Sequence, residues 1–340
     1  MIILKKRYDI DIINFEKIKN YLRAQKIRKK LSKGEKYLEK IPIQTFDGSG
    51  STTHPYIIEL EKPLNAYRYY FVHTPYDNHN VELENPSLSV SNDGINFIKP
   101  KDVKDPLLPI IKEQTKELLK YYSDNFILSD NGELQIWYRY TEEDKSTKKP
   151  RLKNQIYRII SKDGINFSDP ELIIDDDGIW YLSPSIVKIE NLYYLYYFDK
   201  DHKFYVKTSQ NLKKWNKATE VKITDFDNPC WHGEVKLIEN QLYLLLLTRN
   251  YELYLCQSDS NSPFKFNKSS RLRLNYYDKR YIYGHAHPYK GSFLIKDGYI
   301  TLYIPYVVNT LNYFKIHGLK RTKWSMTYTR LKLNDLIQIN

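Results

Sequence analysis

The sequence predicts an all-β chain, a single five-bladed β-propeller with a short helical N-terminal segment. Three observations carry this expectation. A seven-residue turn motif recurs along the chain, paired strand patterns repeat five times, and 32 of the 340 residues are Tyr against only 12 Gly. Tyr favours strands because its ring covers a pleated, half-buried surface. A repeat of this length is how propellers and related arrays announce themselves.

The turn motif is clearest in Ser91-Asn92-Asp93-Gly94-Ile95-Asn96-Phe97 and Ser161-Lys162-Asp163-Gly164-Ile165-Asn166-Phe167. Weaker copies run from Ser209 to Trp215 and from Ser258 to Phe264. Asp-Gly and Asn-Leu at the centre are turn chemistry, because Asn, Asp and Gly tolerate the dihedrals of tight reversals. The closing aromatic is expected to plug the space between blades. No catalytic role attaches to this motif.

Ahead of each turn comes a strand pair. The pairs are Pro55–Leu60 with Tyr67–His73, Phe126–Leu128 with Leu134–Arg139, Ser185–Ile189 with Leu192–Phe198, Glu234–Ile238 with Leu242–Thr248, and Ser292–Ile295 with Tyr299–Pro305. Short links such as Asp130-Asn131-Gly132 and Asp297-Gly298 read as hairpin turns. The spacing suits four-stranded blades. Residues 1–44 differ. Asn14 to Leu38 is rich in Lys, Arg, Glu, Leu and Ile at a helical period, which predicts one or two surface helices packed on a propeller of residues 45–340. The basic cluster Arg23 to Lys33 reads as a solvated face.

Composition narrows the function. The formal net charge of +12 favours anionic partners in general. No nucleic-acid module is recognisable, and the aromatics follow strand periodicity, so nucleic acid is not the expected partner. The longest apolar run is too short for membrane insertion. Cys230 and Cys256 alone make neither a disulfide framework nor a metal site, and His285-Ala286-His287 lacks a clear third ligand. The sequence therefore predicts no metal, no cofactor and a cytoplasmic location, and it leaves the oligomeric state open.

Aligning the five inner strands places His54, Asp124, Ser183, His232 and Lys290 at one equivalent position. Strand alternation then brings Tyr56, Phe126, Ser185, Glu234 and Ser292 to the same side two residues on. Ends of neighbouring strands add His73, Arg139, Arg249 and Glu84 to the same rim. A purely structural hub would not need so many charges, since buried charges are costly unless paired. Pairing of Asp124 with Arg139, and of Glu234 with a nearby His or Lys, is the plain structural alternative.

On blade count, the Ser-x-Asp-Gly-x-x-aromatic turn and the polar-residue-plus-Pro start of inner strands, residues 45 to 335 resemble the five-bladed glycoside hydrolases of families 32, 43, 62 and 68. The resemblance implies three carboxylates at the starts of the first three inner strands, acting as general base, acid-tuning Asp and general acid Glu. Only Asp124 matches. His54 stands in place of the base and Ser183 near the place of the acid, which makes Glu234 and Asp47 the replacement candidates. Glu84-Asn85-Pro86 resembles the Glu-Asp-Pro of family 130 phosphorylases, with Asn in place of the second acid.

The resulting expectation is a glycoside hydrolase acting on an acidic or phosphate-bearing glycan. Asp124 and Glu234 would be an inverting pair, whose carboxyl groups stand about 6.5–9.5 Å apart in such enzymes. His54 and Asp47 stand in reserve. Arg139, Arg249, Lys290, His73, His232 and Glu84 would bind substrate, with Trp231 and Tyr56 stacking on sugar rings. The same residues leave open a phosphorylase or glycosyl transferase, and a non-catalytic glycan-binding propeller.

Overall fold

The computed structural model describes residues 36–112, 114–115, 117–146, 151–176, 178–224, 226, 229–259, 262–275, 285–309 and 323–337. They form five antiparallel blades around one axis. The first is Thr52–Leu64, Tyr67–Pro75 and Ser87–Ser91, three strands extended only by an isolated bridge between Val90 and Ile98. The second is Leu118–Asp130, Glu133–Asp144, Arg151–Ser161 and Glu171–Ile174. The third runs Leu182–Ile189, Leu192–Phe198, Phe204–Ser209 and Thr219–Glu220. The fourth runs Cys230–Ile238, Gln241–Thr248, Leu253–Ser258 and Lys265–Leu272, with Lys222–Thr224 added in parallel at its outer edge.

The fifth blade shows how the ring closes. Its strands His285–Pro288, Ser292–Lys296, Tyr299–Asn309 and Trp324–Lys332 take Glu39–Lys40 as their outer strand. The beginning of the chain thus completes the last blade, and Ile41 and Ile43 are buried between the last blade and the first. Most of the expected N-terminal helices lie outside the described residues. Of the segment expected as helical, the described residues 36–44 hold two short strands instead: Lys36–Tyr37 pairs with Leu274–Asn275, and Glu39–Lys40 pairs with the open edge of Trp324–Lys332.

The turn motif has a shared hydrogen-bond scheme. Ser91 Oγ accepts from Gly94 N–H at 3.0 Å, and Asp93 Oδ1 accepts from the Ile95 and Asn96 N–H groups. Ser161 and Asp163 repeat this with Gly164, Ile165 and Asn166. In the third copy Leu212 takes the left-handed position, at φ 61°, that Gly94 and Gly164 hold elsewhere. The aromatic plug is as expected at Phe97, which packs on Phe71 and Tyr303 of the first and last blades.

Gly164 has two reasons to be glycine. Its φ is +73°, and a Cβ there would stand 2.7 Å from Tyr70 Oη of the neighbouring blade. Gly132, at φ +78°, has open space around it. Gly132→Ala is expected to lose the backbone cost alone, about 1 kcal/mol. Gly164→Ala should lose that plus the clash, about 2–4 kcal/mol in all. Urea unfolding of the two variants checks this, and equal losses would refute the inter-blade contact.

Candidate active site at the propeller axis

The inner strands share a device that aims side chains at the axis. In blades one to three the pairing register breaks between Thr53 and Tyr56, Ser123 and Phe126, and Leu182 and Ser185. Two residues there oppose one on the partner strand, which is a β-bulge, and bulges often re-aim side chains beside active sites. The first bulged residue is His54, Asp124 or Ser183, with φ of 48°, 50° and 51°. Non-glycine residues hold this conformation only when the surroundings enforce it. The sequence alignment of these positions is therefore a structural equivalence.

The side chains so aimed meet in one buried cluster. Asp124 Oδ2 forms an ion pair with Arg139 Nη2 at 2.9 Å, and its Oδ1 lies 3.7 Å from Lys290 Nζ and 3.8 Å from His54 Nε2. On the other side of the imidazole, His54 Nδ1 lies 3.8 Å from Glu84 Oε2. Ser183 Oγ and His232 Nδ1 are 2.7 Å apart. Asp124 has 0% of its surface exposed and Lys290 1%. Asn85 steadies Glu84 from behind, because its side chain donates to Leu108 O and accepts from Leu108 N–H.

Electrostatics separates the two carboxyl groups. Burial alone would raise Asp124, but Arg139, His54 and Lys290 outweigh it and hold the carboxyl well below the usual carboxylate range. Glu84 has no such escort. Burial pushes it up to about 8, against a weaker pull from Arg139. Burial also pulls His54 down to about 4 and His232 well below its ordinary value. Both imidazoles are thus neutral at neutral pH, so the His54 contacts with the carboxyls are dipolar contacts and not ion pairs. Lys290 Nζ, His232 Nε2 and Arg139 Nε find no hydrogen-bond partner among the described residues.

A layer of different character lies beneath. Glu234 Oε1 is 3.0 Å from Lys236 Nζ and accepts from Ser292 Oγ at 3.0 Å. Lys236 Nζ also donates to the carbonyls of Ile57 and Phe293, each at 2.6 Å. Burial pushes Glu234 up and Lys236 down against their mutual attraction. Tyr56 is buried, with Lys236 Nζ over its ring at 4.9 Å. Below Lys236 a cavity of about 660 Å³ opens at the opposite end of the axis, between Ile58, Leu60, Leu237 and Leu294. Lys236 thus separates that cavity from the cluster above.

Above the cluster stands an aromatic wall. Tyr289 packs on His54, His232, Trp231 and Trp324 at centroid distances of 5.2, 4.6, 5.2 and 5.3 Å. Tyr251 and His287 continue it at 4.2 Å. The exposed Arg249 lies over Trp231 at 5.5 Å. Flat faces with polar tips beside a charged floor suit a sugar ring.

The structure rearranges several sequence expectations. His54, Asp124, Arg139, His232, Lys290 and Glu84 come together. Glu234 sits one layer down and is engaged by Lys236 and Ser292, as the plain structural alternative has it. His73 is turned into its own blade, where Thr52 Oγ1 and Ser89 Oγ occupy its two nitrogens at 2.8 and 3.1 Å. Tyr56 is core, with no face open for stacking. Asp47 accepts from Ser49 N–H and Oγ in the turn before the first blade. Sequence reasoning does not reach Tyr289, Trp324 or the Ser183–His232 contact. A signal for Tyr289 exists, since it precedes Lys290 as Trp231 precedes His232. Among the described residues no group of three or more His, Cys, Asp or Glu is placed to hold a metal ion.

No family model matches the sequence. Over 57 residues the chain is 40% identical to the A type blood N-acetyl-α-D-galactosamine deacetylase of Flavonifractor plautii, a stretch covering 17% of this chain and 7% of that protein. The crystal structure of an N-acetylgalactosamine deacetylase from F. plautii, in complex with blood group B trisaccharide, superposes with a TM-score of 0.67 at 16% identity, covering 89% of this chain and 97% of that one. The Bacteroides ovatus xyloglucan-locus GH43B gives 0.55 at 13% identity, covering 86% and 54%. The Bombyx mori GH32 β-fructofuranosidase gives 0.52 at 14% identity, covering 92% and 65%. The chain therefore has the five-bladed propeller scaffold of the family 43 and 32 glycoside hydrolases. That scaffold also carries the F. plautii deacetylase.

Proposed function

We propose that this chain is a glycan hydrolase that removes an acyl group from a sugar seated on the axial floor. One observation carries the reading: Lys290 Nζ, His232 Nε2 and Arg139 Nε are buried without a hydrogen-bond partner among the described residues, in the cluster that holds Asp124 and Glu84, whose Oδ1 and Oε2 lack one as well. Acyl hydrolysis builds negative charge on a carbonyl oxygen, and preorganised donors in a dry site stabilise that charge best. It also needs a proton for the departing amine or hydroxyl. Glu84, protonated at neutral pH, supplies it. Asp124 stays ionised and balances the surrounding cations. The F. plautii protein that this chain resembles is a deacetylase, which supports an acyl group as the one removed.

A second reading is cleavage of a glycosidic bond in an anionic glycan. It is favoured by the split between a protonated Glu84 and an ionised Asp124, since two carboxyl groups with opposed protonation states make an acid and base pair. Lys290 and Arg139 would then hold the carboxylate or phosphate.

Products distinguish the two. A panel of acylated and anionic oligosaccharides should lose one acyl group as free acid under the first reading. A new reducing end supports the second, and binding without turnover would contradict both. Under either reading the rate should fall as pH rises through about 8, because Glu84 must carry its proton. Glu84→Gln should remove that limb and slow turnover about 10²–10⁴-fold.

A further inference from the structure

Ser183 and His232 form a contact that neither carboxyl role uses. Ser183 Oγ lies 2.7 Å from His232 Nδ1, and both residues are 2% exposed. Ser183 takes φ 51° at its bulge, as His54 and Asp124 do at theirs, so the inner-strand device that aims those two side chains at the axis aims the hydroxyl there too. Ser183 stands near the place where the resemblance to family 43 expects a Glu acid. A serine hydroxyl is too weak an acid for that task, so its presence points to different chemistry.

From this geometry we infer that Ser183 is a nucleophile and His232 its base, so that the acyl group passes through a covalent ester on Ser183. The inference rests on the deacylation reading. A nucleophile and base within hydrogen-bond reach, with a third group stabilising the charged base, is the arrangement acyl transfer needs. Burial keeps His232 neutral and able to accept the proton; Asp124 favours the imidazolium once it forms, while His54, Lys290 and Arg139 oppose it.

In the first half, Ser183 Oγ adds to the acyl carbon while His232 Nδ1 takes its proton. Lys290 Nζ faces the developing oxyanion. The bond from the acyl carbon to the sugar nitrogen or oxygen then breaks. Its electron pair leaves with the sugar, which takes a proton from Glu84. In the second half, water adds to the Ser183 ester and gives a proton to the Glu84 carboxylate. The ester bond breaks, His232 returns its proton to Ser183 Oγ, and the free acid departs. Every group ends in its starting state.

The test uses the full chain and p-nitrophenyl acetate as an activated acyl donor, beside the acylated oligosaccharide panel. Rapid quench and intact mass measurement should find one acetyl group per chain, with fragmentation placing it on Ser183. Ser183→Gly removes the hydroxyl and suits the positive φ, which offsets much of the lost contact to His232, so it should stay folded at assay temperature. It should lose the adduct and at least about a thousandfold of turnover. His232→Asn should lose the adduct as well. Acid release from the panel that persists in Ser183→Gly would overturn the serine route while leaving deacylation intact. Neither adduct nor acid release from wild type would overturn both.

Discussion

Lys236→Ala is expected to be among the most damaging single substitutions in the described fold, at about 3–5 kcal/mol. The ammonium group ties Glu234 of its own blade to the Ile57 and Phe293 carbonyls of the first and last blades. Its removal strips two buried carbonyls of their donor and leaves a buried carboxylate without its cation. A buried ion pair need not add net stability, but breaking one is costly because the survivor stays charged in a poor solvent. Against a total of about 5–15 kcal/mol for a typical fold, such a loss is visible in any urea titration. Adding Glu234→Gln to a Lys236→Met background should recover much of it, because the orphaned charge is then gone. If Lys236→Ala unfolds at the wild-type urea concentration, Lys236 does not pin the three blades together in solution.

The second large effect is on chemistry. Asp124→Asn keeps the shape of the side chain and removes its charge, leaving Arg139 and Lys290 facing each other without a counterion. Both donors should turn away from the substrate, and His54 and His232 lose the field that favours their protonated forms. Turnover is expected to fall by about a thousandfold or more, mostly in kcat. The variant should also respond differently to acid. The folded Asp124 carboxyl lies below its unfolded value, so its stabilising effect is present above about 3.9 and fades as pH falls through the lower folded value. Wild type carries that acid limb, and Asp124→Asn should not. Near-wild-type turnover in this variant would move the chemistry off the axis.

Periodicity alone makes much of this site legible in the sequence. One inner-strand position read across five blades yields His54, Asp124, Ser183, His232 and Lys290, because each inner strand starts at the same depth beside the axis. The next position on the same side yields Tyr56, Glu234 and Ser292, but not what they do. Glu234 reads as a catalytic partner only while its neighbour two residues on is left out. Alternation returns Lys236 to the same side, and the pair neutralises itself. His73 fails differently. It sits at a strand end, where a residue can face the axis or its own blade, and only tertiary partners such as Ser89 decide.

Other features have no local signal. Glu84 owes its raised pKa to burial created by a loop that Asn85 braces against Leu108, a contact 23 residues away in sequence. The two-residue strand Glu39–Lys40 that closes the ring is too short to carry a period. Its flanking lysines and glutamates read as helix. The left-handed bulges at 54, 124 and 183 break the strand pattern that alignment relies on, yet they break it identically in three blades, which is why the alignment survives.

Both readings of the function use a protonated Glu84 beside an ionised Asp124. Carboxyl carbon NMR on ¹³C-labelled protein, with Glu84→Gln and Asp124→Asn used to assign the two signals by difference, measures this without knowledge of the substrate. Glu84 should titrate near pH 8, and Asp124 should remain ionised through the whole range in which the protein stays folded. Both groups titrating together near the ordinary carboxylate value of about 4 would contradict the acid–base assignment and the function built on it.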